Sequence, residues 1–142
     1  MPQTHGVLHF TIGVTDLDRA TAFYRDVLRC EVVNTNPVMT FMRSGTAIFV
    51  LTKTGQHVPP NPTDKPLGAW TTLFHHAFLI EPEQYDTTVA ELDQRGIPWV
   101  DCTHEVEHVT VPGRRHLYVY DPDGNSVEFA TMTESELRML SS

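Results

Sequence analysis

The chain has 142 residues, 40% of them apolar and 20% charged, so one folded globular domain is expected rather than a disordered chain. Ten Lys/Arg against eighteen Asp/Glu give a net charge of −8, so the basic face that a nucleic acid or an anionic membrane would require is not expected. The longest apolar run, residues 47–51, is far too short to span a bilayer, and the opening MPQTHGVLHF has neither a basic nor an apolar leader region.

Two cysteines, Cys30 and Cys102, are too few for a disulfide scaffold and suit a reducing cytoplasm. Eight histidines without a cysteine cluster mean that a metal site would be built from imidazole and carboxylate.

Residues 8–14 alternate strictly. Leu8, Phe10, Ile12 and Val14 are large and apolar and are predicted to pack beneath a helix, whereas His9, Thr11 and Gly13 face the other way. From Leu17 the spacing becomes helical, with Ala20, Phe23, Tyr24, Val27 and Leu28 on one stripe and Thr15 or Asp16 available as N-cap. Strands are predicted at 31–36, 38–43 and 46–53, with Ser44-Gly45 as a tight turn. Residues 54–72 carry four prolines and no periodicity, and read equally as a linker or as a lid over a pocket.

A second alternating stretch then begins, with Phe74, His76, Phe78 and Ile80 in the helix-facing phase and His75, Ala77 and Leu79 in the phase of His9. Pro82 opens a helix whose stripe is Tyr85, Val89 and Leu92, and Gly96 closes it. Strands follow at 97–102, 115–120 and 125–131, the last two joined by Asp121-Pro122-Asp123-Gly124, a strong hairpin signal. Residues 134–140 read as a short outer helix.

Laid on itself with an offset of 66, the chain repeats: His9 to Val14 falls on His75 to Ile80, Phe23 on Val89 and Cys30 on Gly96. The expectation is an α+β fold in one domain, 1–142, built of two βαβββ modules, 7–53 and 73–132. They are linked by 54–72 and followed by a tail, 133–142.

The repeat selects His75 over His76 as the partner of His9. A lone strand histidine is usually a hydrogen-bonded core residue, but two at equivalent places in a duplicated module point to a shared task. Five loop residues, 121–125, put Tyr118 opposite Glu128, so Glu128 shares a face with Ser126 and Ala130 while Val127 and Phe129 fill the other. A mid-strand carboxylate between Val and Phe is costly to bury unless paired or metal-bound, the plain alternative being a solvated face. Two histidines and one carboxylate make a facial triad suited to Fe(II), Mn(II) or a related divalent ion, with about three of six positions left open. Aligning the two hairpins on Gly45 and Gly124 puts Phe49 at the place of Glu128, so no fourth protein ligand is expected.

His9-Phe-Thr-Ile-Gly-Val-Thr-Asp-Leu-Asp-Arg-Ala-Thr-Ala-Phe-Tyr24, His75-His-Ala-Phe78 and Asp121-Pro-Asp-Gly-Asn-Ser-Val-Glu128 together resemble the vicinal oxygen chelate superfamily. That superfamily includes glyoxalase I, type I extradiol dioxygenases, fosfomycin-resistance enzymes and bleomycin-binding proteins. The resemblance covers nearly the whole chain. It implies that the paired modules form an open barrel, often completed by dimerisation, and that His9, His75 and Glu128 are the metal ligands. A homodimer is expected on the further ground that an open barrel has exposed edges for a second copy to cover.

The stretch from His108 through Leu117-Tyr118 to Asp121-Pro-Asp-Gly and Glu128 is similar to the extradiol dioxygenase signature. The eight-residue gap between His108 and Leu117 is one longer than usual, so His116 and His104 remain alternatives for the signature imidazole. The resemblance implies a small ring-cleaving dioxygenase, with Fe(II) as first choice and Mn(II), Zn(II) or Ni(II) as further candidates. Its substrate would be a small molecule, an aromatic diol in the first instance. His108 is the expected acid/base and Tyr118 the expected hydrogen-bond donor to a substrate oxygen, with packing and solvated-loop roles as the plain alternatives.

Two other activities fit the same frame. A glyoxalase-like lyase or isomerase, or a fosfomycin-resistance-like transferase, would use the ion as a Lewis acid, with Arg114 and Arg115 available for an anionic group. A bleomycin-type protein would trap a drug without metal. Trp70, Phe41 and Phe49 are expected to shape the pocket.

Overall fold

The change from two-residue to helical periodicity between residues 14 and 17 is where the first strand gives way to the first helix in the computed structural model, which describes residues 1, 3–56, 74–103 and 114–140. Contacts divide the chain into two compact units, Met1–Val58 and Pro59–Ser142, and each holds one module of the expected pair.

The first unit runs β1 (Phe10–Val14), α1 (Leu17–Asp26), β2 (Glu31–Thr35), β3 (Met39–Ser44) and β4 (Ala47–Lys53). Its sheet has the order β1-β4-β3-β2, with β1 parallel to β4 and the other pairs antiparallel. Asp16 rather than Thr15 caps α1, its carboxylate accepting from the Arg19 backbone N–H at 2.9 Å. Asp16→Ala is therefore expected to destabilise the protein by about 1 kcal/mol, read as a lower urea midpoint at unchanged slope.

Past α1 the chain turns through Arg29 at φ 57°, and past α2 through Gly96 at φ 65°, each a left-handed turn after its helix. Ala20 and Tyr24 of α1 are buried, and the core around them includes Ile12, Val14, Met42, Phe49 and Leu51. Leu8 does not join it. The strand starts at Phe10, and Leu8 is 86% exposed, contrary to its apolar phase.

The second unit runs β5 (His76–Ile80), a 3-10 turn (Pro82–Gln84), α2 (Tyr85–Gln94), β6 (Trp99–Asp101), β7 (His116–Tyr120), β8 (Ser126–Thr131) and α3 (Glu134–Leu140). The sheet order β5-β8-β7-β6, with β5 parallel to β8, repeats the first unit. Pro82 opens the turn before α2, and Tyr85 and Leu92 are the buried residues of that helix. The Tyr85 hydroxyl donates to Asp101 at 2.7 Å, and the Arg115 guanidinium lies 3.6 Å over the Tyr85 ring. Phe74, expected to face a helix, precedes the strand and is 56% exposed.

The loop between β7 and β8 is held from inside. Asp121 Oδ1 accepts from the backbone N–H groups of Asp123 and Asn125, and the Asn125 amide donates to Oδ2 at 2.8 Å. Gly124 supplies the positive φ, 81°. This knot fixes the register of the hairpin on which the candidate site stands. Among the described residues no helix is long and apolar enough to cross a membrane.

Candidate metal centre

All six residues of β8 are buried, and Glu128 at its centre is only 4% exposed. Alternation sends Val127 and Phe129 to one face and Ser126, Glu128 and Ala130 to the other. On β7 the residue directly across from Glu128 is Tyr118, as the five-residue loop predicts, and on β5 it is Ala77. His116 lies across from Ala130, hence diagonal to Glu128 on the same face, a separation that long side chains bridge. His75 stands immediately before β5, in the phase of Ala77.

These placements converge on the carboxylate. His75 Nε2 lies 2.8 Å from Glu128 Oε2, and His116 Nδ1 lies 2.7 Å from Glu128 Oε1. The His75 ring also meets the Tyr118 ring edge-on at 5.4 Å. Burial alone would raise the Glu128 pKa, but the hydrogen bonds from His75 and His116 outweigh it and hold the carboxyl below its ordinary range. Tyr118 shifts the opposite way: burial first, then the charge of Glu128, push its phenol well up. The result is a buried, ionised carboxylate beside a phenol that keeps its proton.

His76 takes the other face, as the repeat requires. Burial, and then the neighbouring His75, lower its pKa, and it is not a member of the cluster. Arg115 is committed elsewhere, bonded to Asp86 at 2.9 Å as well as stacked on Tyr85. Arg114 remains near enough to offset part of the shift on Tyr118.

The donor chemistry fits a divalent ion. His75 Nε2 and Glu128 Oε2 are separated by nearly the ~3 Å that divides adjacent ligands around an ion with bonds of ~2.1 Å. His9 belongs to the first unit, exposed and immediately before β1, the same place in its module that His75 holds in the other. Among the described residues, no group of three or more His, Cys, Asp or Glu is arranged to hold a metal. His108, His104 and Trp70 lie outside the described residues.

Phe49 requires a correction. Its ring stacks on Phe10 at 5.4 Å and meets Tyr24 of α1 edge-on at 5.4 Å, so it faces the helix and lines no pocket on the opposite face. The parallel pairs Thr11–Val50 and Ala77–Glu128 show that Val50 holds the place of Glu128. Val50 offers no carboxylate either. His116 is the member of the cluster that sequence reasoning ranked too low. Its signal was available: with Tyr118 opposite Glu128, residue 116 must lie on the same face.

The family model for the Glyoxalase/Bleomycin resistance protein/Dioxygenase superfamily matches residues 6–129. Lactoylglutathione lyase from Agrobacterium tumefaciens is 26% identical over 92% of this chain and 96% of that one, with a TM-score of 0.63. The fosfomycin resistance protein FosX from Listeria monocytogenes, solved with Mn(II) and sulfate, is 19% identical over 96% and 99%, with a TM-score of 0.66. A glyoxalase/dioxygenase from Nostoc punctiforme is 20% identical over 92% of each chain, with a TM-score of 0.68. The last two likenesses show a shared fold.

Proposed function

Because the chain belongs to the Glyoxalase/Bleomycin resistance protein/Dioxygenase superfamily, we propose that it is a metal-dependent enzyme of that family, with His9, His75 and Glu128 as its metal ligands. The observation that carries this reading is the buried Glu128 carboxylate with an imidazole on each oxygen. In a fold without a ligand to bind, an apolar residue on β8 would serve better than an ionised one. When bound, the ion supplies Lewis acidity and, as Fe(II), a path for electrons between a chelating substrate and dioxygen.

The first reading is an extradiol-type dioxygenase acting on an aromatic diol. Tyr118, kept protonated by its surroundings, donates a hydrogen bond to a substrate oxygen beside the ligand carboxylate. His108 is the acid/base in this reading, its role resting on the signature in the sequence. The second reading, a lyase or transferase using the ion as Lewis acid, is favoured by the 26% identity to lactoylglutathione lyase. Tyr118 and the three ligands serve unchanged in it.

Metal analysis of anaerobically purified protein, followed by oxygen uptake of the iron-loaded protein with a panel of catechols, separates the readings. About one divalent ion per chain and catechol-dependent oxygen uptake are expected. Bound metal with turnover but no uptake transfers support to the Lewis-acid reading. A protein that takes up no divalent ion is not an enzyme of this kind, and the drug-binding alternative then stands.

A further inference from the structure

We propose that His116 is a positioning residue for the metal-binding carboxylate: it holds Glu128 Oε1 so that Oε2 is presented beside His75 Nε2. The inference rests on the metal reading above and adds to it a residue that binds neither metal nor substrate.

A glutamate side chain loses about 1.5–2 kcal/mol of rotamer freedom when fixed in one pose, so an unsupported Glu128 would be a costly ligand to order. The 2.7 Å bond from His116 removes that freedom before any ion arrives. A carboxylate only accepts, so the proton sits on His116 Nδ1. The imidazole stands on a rigid base. Its backbone N–H donates to Thr103 Oγ1 at 3.1 Å, and its carbonyl accepts from the Cys102 N–H at 3.1 Å. With 5% of its surface exposed and Nδ1 committed, His116 acts through Glu128.

The test is calorimetric titration of Mn(II) into chelator-treated wild type, His116→Leu and His116→Asn, with urea unfolding of each. Leu fills the volume without a donor, and the Asn amide nitrogen mimics Nδ1. His116→Leu is expected to fold and to bind Mn(II) about 10–100-fold more weakly, with His116→Asn recovering most of the loss. Nitrogen-15 NMR of the metal-free wild type should place the proton on Nδ1, a readout independent of both variants. Should His116→Leu fail to fold, that signal and near-wild-type binding by His116→Asn carry the expectation. Equal affinity in wild type and His116→Leu, equal loss in both variants, or a proton on Nε2 alone overturns the positioning role and leaves the metal reading intact. A wild type that binds no Mn(II), Fe(II) or Zn(II) overturns the metal reading itself.

Discussion

Glu128→Ala is expected to abolish metal binding and turnover together and to cost the metal-free fold about 3 kcal/mol. Both losses have one origin. The carboxylate accepts from His75 and from His116 at a position that water barely reaches. Truncation leaves the His116 donor buried without an acceptor, while the more exposed His75 turns to solvent.

Glu128→Gln separates the two effects, because the amide fills the volume but carries no charge. It should bind metal poorly while losing less stability than Ala. The pH dependence of the chelator-treated protein follows from the lowered pKa of Glu128. A carboxyl whose folded pKa lies below its unfolded value contributes stability that is fully present above about pH 4.3 and is lost as pH falls through the folded value. The gap in urea midpoint between wild type and Glu128→Gln should therefore be widest near neutrality and close in acid. A gap that widens in acid would contradict the assignment of Glu128 as an ionised acceptor.

Phe49→Ala is expected to cost about 3–5 kcal/mol, with a fall in Tm of about 10 °C or more. The ring is fully buried between Phe10 on β1 and Tyr24 on α1, so it joins both to β4. Phe49→Glu should be worse than Phe49→Ala and should leave metal affinity unimproved. The introduced charge would point at two aromatic rings instead of joining a ligand set. Thermal unfolding of the three proteins orders them directly, and a Phe49→Glu protein as stable as wild type would show that the side chain reaches solvent.

These two positions mark where the sequence could be read and where it could not. The opposition of Tyr118 and Glu128 was legible, because a turn knotted by Asp121 and Asn125 closes the hairpin with five residues and register then follows by counting. The repeat was legible too, since the hydrophobic phases of β1 and β5 agree and both candidate histidines stand one residue before those strands. Counting from the turn failed at Phe49. The first hairpin pairs Ser44 with Ala47 across two residues, and the second pairs Tyr120 with Ser126 across five. The third residue of each final strand therefore faces opposite sides, and only the parallel neighbours, β1 and β5, reveal which. Leu8 and Phe74 failed for a different reason. Their alternation continues past the ends of the strands, where no sheet is left to impose a face. His116 stands only as an alternative to His108 in the sequence because a linear signature ranks residues by spacing, whereas its bond to Glu128 is a diagonal across two strands.

A crystal structure of the protein soaked in Mn(II), with anomalous data to locate the ion, bears most directly on the central claim. A single strong peak is expected, bonded to His75 Nε2 and Glu128 Oε2, with His116 still hydrogen-bonded to Oε1. A fully loaded crystal with no peak on Glu128, its carboxylate still clasped between the two imidazoles, would contradict it.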